Sequence, residues 1–132
     1  IMQCDYDAES AQVANIRLFV AIEDAGAARA FPDGSIVDRE GCLWNAQWGA
    51  GRVVRYSPDG RSLHSLQLAA KNPTCPAFGG IALGQLMTTS SRLEMTNEDL
   101  KQQPHAGGLF MHTIQANLGV CDALFDDLTP AQ

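Results

Sequence analysis

Between residues 32 and 60 the chain reads PDGSIVDREGCLWNAQWGAGRVVRYSPDG, a succession of short runs with apolar and polar residues in alternation, each closed by a turn signal. That period of two restricts the segment to antiparallel sheet, because helical periodicity would place the apolar residues on no single face. The runs are 35–37, 43–47, 52–56 and 63–68. Their junctions are the polar turn Asp38-Arg39-Glu40-Gly41, the glycine-rich Gly49-Ala50-Gly51, and Ser57-Pro58-Asp59-Gly60 with proline at the second turn position.

The same organisation recurs on both sides. Runs 1–5 and 16–22 form a pair joined by a polar turn, and after the linker AAKNPT come 76–79, 85–89, 108–112 and 120–125. Gly51-Arg52-Val53-Val54-Arg55 and Gly107-Gly108-Leu109-Phe110-Met111 hold equivalent places in the two units. The second unit carries a polar insertion, 91–105, suited to one helical turn or a surface loop. A four-stranded antiparallel unit repeated at roughly 40 residues is the signature of a propeller blade. The expected fold is therefore all-β, with about two and a half blades: an outer strand pair in 1–31, a complete blade in 32–70 and a second in 71–128. Propellers close with at least about four blades, so the chain reads as part of one.

Composition narrows the function classes. A net charge of −6, with nine Lys and Arg scattered singly, offers nothing to a phosphate backbone, and nucleic acid is excluded as a partner. No apolar run approaches the ~18 residues of a membrane span. The opening IMQCDYDAES has neither the basic nor the apolar region of a signal peptide, so a cytoplasmic location is expected. Cys4, Cys42, Cys75 and Cys121 are far apart, without zinc-finger spacing, and are expected to be reduced.

The two PDG triplets differ in context. The second joins two runs and is a hairpin tip. The first, Pro32-Asp33-Gly34, leads into a strand, and at the entrance to a blade's innermost strand an aspartate points toward the central channel. With these residues the chain closely resembles the C-terminal half of the regucalcin and gluconolactonase family, in particular its bacterial sugar lactonases. The motifs that carry the resemblance are PDG, LWNAQWGAGRVVR, AFGG and AGGLF, in order, between Asp5 and Phe125.

The resemblance implies a six-bladed propeller that hydrolyses sugar lactones with one divalent cation at the channel mouth. The expected cation is calcium or zinc, with manganese or magnesium as further choices. It implies that Asp33 is a metal ligand and a catalytic residue. The family's other two ligands, a glutamate and an asparagine, have no counterpart here, nor do its substrate-binding arginine and asparagine. One carboxylate does not make a catalytic metal site, so the chain alone is expected to be inactive. The expected partners are a sugar lactone and either the missing N-terminal half of the propeller or a second copy. Two rival readings follow: a calcium-binding protein without turnover, and a non-catalytic half-propeller that associates with another chain. One departure concerns strand pairing, since Cys75-Pro76 replaces the family's usual serine and cysteine and proline suits only strand starts and edges.

Other candidates have plainer readings. Composition alone makes Asp33 a turn residue. His105 suits a loop or the channel lining. Trp44 and Trp48, four residues apart, suit blade-to-blade packing better than stacking on a sugar. Gly79-Gly80 and Gly107-Gly108 open no helix and are not phosphate loops. Asp5, Asp7 and Glu9 alternate like a calcium loop but lack its glycine and distal glutamate.

Overall fold

The residues around Trp44 form the centre of the molecule because β4 is paired on both sides, by β3 and β5, and its side chains are buried on both faces. The computed structural model describes residues 1–26, 28–121 and 123. In chain order the strands are β1 (Met2–Asp7), β2 (Gln12–Leu18), β3 (Phe31–Val37), β4 (Leu43–Trp48), β5 (Arg52–Tyr56), β6 (Ser62–Gln67), β7 (Pro73–Gly79), β8 (Gln85–Ser90) and β9 (Leu109–Thr113). The short helix α1 (Asn97–Gln102) lies between β8 and β9. All pairings are antiparallel, in three sheets ordered β1-β2, β3-β4-β5-β6 and β7-β8-β9.

The expected elements recur with shifted limits. β2 begins at Gln12 because the Asp7 carboxylate accepts from the Glu9 N–H at 3.0 Å and the Ser10 hydroxyl at 2.6 Å, which tightens the turn. The insertion forms α1, whose capping box is Thr96 and Asp99: each side chain accepts the other residue's backbone N–H. Of the expected run 120–125, Val120 and Cys121 belong to no strand and most of the remainder lies outside the described residues. The four cysteines are free. No helix among the described residues is long and apolar enough to cross a membrane.

β3 and β7 occupy equivalent positions, and each is bulged at the same place. Pro32 pairs with Gln47 and Ser35 with Asn45, so Asp33 and Gly34 together oppose Ala46. Pro73 pairs with Ser90 and Pro76 with Thr88, so Thr74 and Cys75 together oppose Thr89. Pro76 is accommodated because β7 is an edge strand and pairing resumes just after the bulge. The two bulges nest. A β-carbon placed on Gly34 would lie 2.7 Å from the Thr74 carbonyl oxygen and 2.9 Å from Cys75 Cα. Gly60, in the second PDG, has φ +82° instead, and its N–H donates to the Ser57 carbonyl at 2.8 Å. One glycine is required for close approach and the other for a left-handed turn.

Packing between the middle and last sheets forms the core. Trp44 and Ala46 on β4, with Val53 on β5, meet Leu86 and Leu118, flanked by Ile36, Leu66 and Phe78. The Trp44 and Phe78 rings meet edge to face, with centroids 6.3 Å apart. The opposite face of β4 is also buried, with Gln47 donating to the Tyr56 hydroxyl at 2.7 Å.

The two ends of the stack are different. On β1 and β2 the cross-strand pairs Met2–Leu18 and Tyr6–Val13, with Ile16, make an apolar face whose members are 58–67% exposed. On the outer face of the last sheet Leu109 and Met111 are exposed as well. Replacing Gly34 by alanine forces the nested bulges apart, and the expected loss is about 1–3 kcal/mol, read from the urea unfolding midpoint. An unchanged midpoint would contradict the close approach.

Candidate functional site

Asp33 sits within β3, whereas the sequence placed it just ahead of the strand. Its position in the bulge turns its side chain out of the regular alternation, and bulges commonly serve to re-aim a residue in this way. Three hydrogen bonds fix the backbone there. Asn45 Nδ2 donates to the Asp33 carbonyl at 3.0 Å and to Ser35 Oγ at 2.9 Å, and Asp33 Oδ1 accepts from the Gly34 N–H at 2.9 Å. The Asp33 carboxylate is exposed and forms no ion pair among the described residues. Its Oδ2 accepts no protein hydrogen bond there, so one oxygen is left for a ligand.

Asn45 holds the bulge in place, although in the sequence it stands only as one residue of the LWNAQWGAGRVVR motif. It is 1% exposed, and its Oδ1 has no partner. A buried polar side chain at an otherwise apolar strand position is the signal that marks it.

A second carboxylate, Asp38, is buried in the turn between β3 and β4 and organises the middle sheet. Oδ1 accepts from the N–H groups of Glu40 (2.9 Å) and Cys42 (3.0 Å), and Oδ2 accepts from Trp44 Nε1 (2.9 Å) and Arg55 Nε (2.7 Å). Arg55 also pairs with Glu40 at 2.7 Å and lies 5.7 Å from the centroid of the Trp44 ring. Burial acts to raise the Asp38 pKa, but the hydrogen bonds from Trp44 and Cys42 and the charge of Arg55 outweigh it and hold it below the ordinary value. Burial pushes the neighbouring Cys42 thiol up. Sequence pattern reads Asp38 as an ordinary turn residue; its role depends on Trp44 and Arg55 lying across the strands.

The remaining candidates are dispersed. Trp44 is a core residue, 2% exposed, while Trp48 is half-buried at the end of β4 and paired across the strands with Phe31. His105 is exposed in the turn before β9, where its carbonyl accepts from the Gly108 N–H at 3.1 Å. His64 lies in β6 and His112 in β9. Asp5 is bound to Arg17 and Asn15, and Asp7 to its own turn. Among the described residues no three His, Cys, Asp or Glu side chains come together to hold a metal, so Asp33 is in no such cluster there.

A repeated antiparallel sheet with an aspartate aimed outward from a bulge in the innermost strand defines a propeller-type protein with its candidate site at the strand entrance. The chain matches the family described as SMP-30/Gluconolactonase/LRE-like region over residues 1–92, and it belongs to that family. It is 45% identical over 111 residues to an L-arabinolactonase of Azospirillum brasilense, covering 84% of this chain and 35% of that protein. It is 36% identical over 110 residues to human regucalcin, covering 83% and 36% respectively. Among solved structures, the Agrobacterium tumefaciens calcium-binding protein regucalcin superposes with a TM-score of 0.81 at 32% identity, covering 95% of this chain and 41% of that one. A luciferin-regenerating enzyme superposes with a TM-score of 0.71 at 25% identity, covering 90% and 41%. The chain thus spans little more than a third of the curated relatives it matches.

Removing Asp38 leaves Arg55 and the Trp44 N–H unpaired. Asp38→Ala is expected to lower stability at neutral pH by about 3–5 kcal/mol, as loss of one partner of a buried ion pair does. Because the folded carboxyl is depressed below 3.8, its contribution is present above that pH and declines as pH falls through the folded value. Urea unfolding of wild type and variant at pH 7 and pH 3 should show the gap narrowing in acid; a constant gap would contradict the ionised network.

Proposed function

We propose that the intact protein hydrolyses sugar lactones and that this chain supplies one side of the site through Asp33. The observation that supports this most directly is the bulge of β3, which presents a carboxylate with one free oxygen from a backbone clamped by Asn45. The family resemblance gives that position to a metal-ligating aspartate. Relatives named L-arabinolactonase and 6-deoxy-6-sulfogluconolactonase, at 45% and 43% identity, support lactones as the substrate class.

In lactone hydrolysis water adds to the acyl carbon and the ring acyl–oxygen bond breaks. The ring oxygen takes a proton and leaves as a hydroxyl, and the product is a hydroxy acid. Asp33 would hold the reacting water or a cation with Oδ2 while the Gly34 N–H fixes Oδ1. A divalent ion, calcium or zinc in the first instance and manganese or magnesium in the second, would when bound supply Lewis acidity to the lactone carbonyl. Its other ligands would come from outside this chain, which on that ground is inactive alone. The exposed apolar faces at both ends of the stack support completion by further blades. The missing N-terminal half fits that role; a second copy would bring only another Asp33. Calcium binding without turnover is the rival reading, supported by the solved neighbour described as calcium-binding.

The test is gluconolactone hydrolysis by this chain alone and after mixing with the remainder of its parent protein, with calcium, manganese or zinc added. Turnover is expected only from the completed protein with metal, falling roughly 10²–10³-fold in Asp33→Ala, the order seen when one electrostatic group is removed from a catalytic site. Turnover unaffected by Asp33→Ala would sink the assignment. Metal binding without turnover would favour the calcium-binding reading.

A further inference from the structure

On the edge of the sheets where β3 and β7 begin, reaching along β3 as far as Phe31 and not to Asp33 itself, the β2–β3, β4–β5 and β6–β7 connections border a cavity of about 450 Å³. That size falls among small-ligand sites. Its lining includes Arg29, Phe31, Trp48, Lys71, Asn72 and Glu94. Phe31 is two residues from Asp33 on β3 and pairs with Trp48, so an aromatic wall adjoins the candidate site.

The framework that carries Arg29 and Lys71 is fixed, and neither charged end forms an ion pair among the described residues. After the hydrogen bonds from Thr96, the Lys71 charge helps hold the Asp99 carboxyl below its ordinary value. The Gly51 N–H donates to the Lys71 carbonyl at 2.9 Å, and the Lys71 N–H donates to Gln103 Oε1 at 2.6 Å. Asn72 is buried, its Nδ2 donates to the Leu93 carbonyl at 3.0 Å, and its own carbonyl accepts from the Ser91 N–H at 2.9 Å. Gly49 has φ +82°, and a β-carbon there would lie 2.5 Å from the Arg29 carbonyl oxygen, so only glycine lets the two connections meet. Among the described residues Arg29, Arg39, Arg52, Lys71 and Arg92 form no ion pair, and of these Arg29 and Lys71 both line this cavity.

We propose that this cavity is a binding site for a polyhydroxylated carboxylate, an open-chain sugar acid. Two unpaired cations call for an anion, and charge-assisted bonds to a carboxylate are the strong ones available. The aromatic pair Phe31 and Trp48 offers an apolar surface to the C–H face of a polyol. Glu94 can accept hydroxyl hydrogens, which a simple inorganic anion lacks. Ring opening at Asp33 would create such a product next door, so the identity of the ligand rests on the lactonase reading. The site itself rests on the cavity and its cations.

The experiment is a titration of the 132-residue chain with D-gluconate and, separately, with the neutral polyol D-sorbitol, followed by calorimetry and by the two tryptophan indole N–H resonances. Gluconate should bind saturably and shift the Trp48 resonance while leaving that of buried Trp44 in place. Arg29→Gln and Lys71→Gln should each weaken binding roughly fivefold, the order of one partly exposed charge contact. Glu94→Gln keeps an acceptor oxygen for the hydroxyls but removes a negative charge that repels the bound carboxylate, so it should tighten gluconate binding, a gain that misfolding cannot mimic. Equal response to sorbitol, or undiminished binding by the Arg29→Gln/Lys71→Gln double variant, would overturn the inference. Gluconate binding without lactone turnover by the completed protein upholds this site and removes the lactonase reading; turnover without gluconate binding does the reverse.

Discussion

At Gly34 the backbone of β3 approaches Thr74 and Cys75 of β7 so closely that no methyl group fits between them. That approach lets Trp44, Ala46 and Val53 reach Leu86 and close the core between two successive sheets. Because Gly34 belongs to the same bulge as Asp33, the packing that joins the sheets also fixes where the carboxylate is presented. Stability and site geometry therefore share one constraint, and Asn45 couples them by bonding the bulge from the neighbouring strand.

The sheets form a graded series. In the middle one β4 is buried on both faces and the buried Asp38–Trp44–Arg55 network lies alongside it, while the outer ones each turn an apolar face to solvent. Consecutive blades taken from a ring have this character: each blade's faces are meant for its neighbours, and those at the ends lack them. The bulge of β3 leaves the Asp33 carboxylate exposed at one edge of this stack, where among the described residues no other carboxylate, histidine or cysteine cluster accompanies it.

Much of this was legible in the sequence because its signals are local. Alternation and turn chemistry located the strands from β3 to β6, and the Ser57-Pro58-Asp59-Gly60 tip formed as its residues require. Resemblance singled out Asp33. What the sequence hid depends on residues brought together across strands. Asp38 looked like any turn aspartate until Trp44 and Arg55 were placed against it. The first PDG is set apart from the hairpin tip by its context, but the reason for its glycine lies some forty positions further on, at Thr74. Pro76 gave a false warning, because a bulge at an edge strand absorbs it.

The contact between the two larger sheets carries the fold, while the β1–β2 ribbon has its apolar face uncovered. Amide hydrogen exchange on the chain measures this directly, since protection reports local opening free energy. The slowest exchange should fall in β4, β5 and β8, with β1 and β2 exchanging orders of magnitude faster. Protection of β1 and β2 as strong as that of β4 would contradict the account, showing that the ribbon is stable without any further blade against its apolar face.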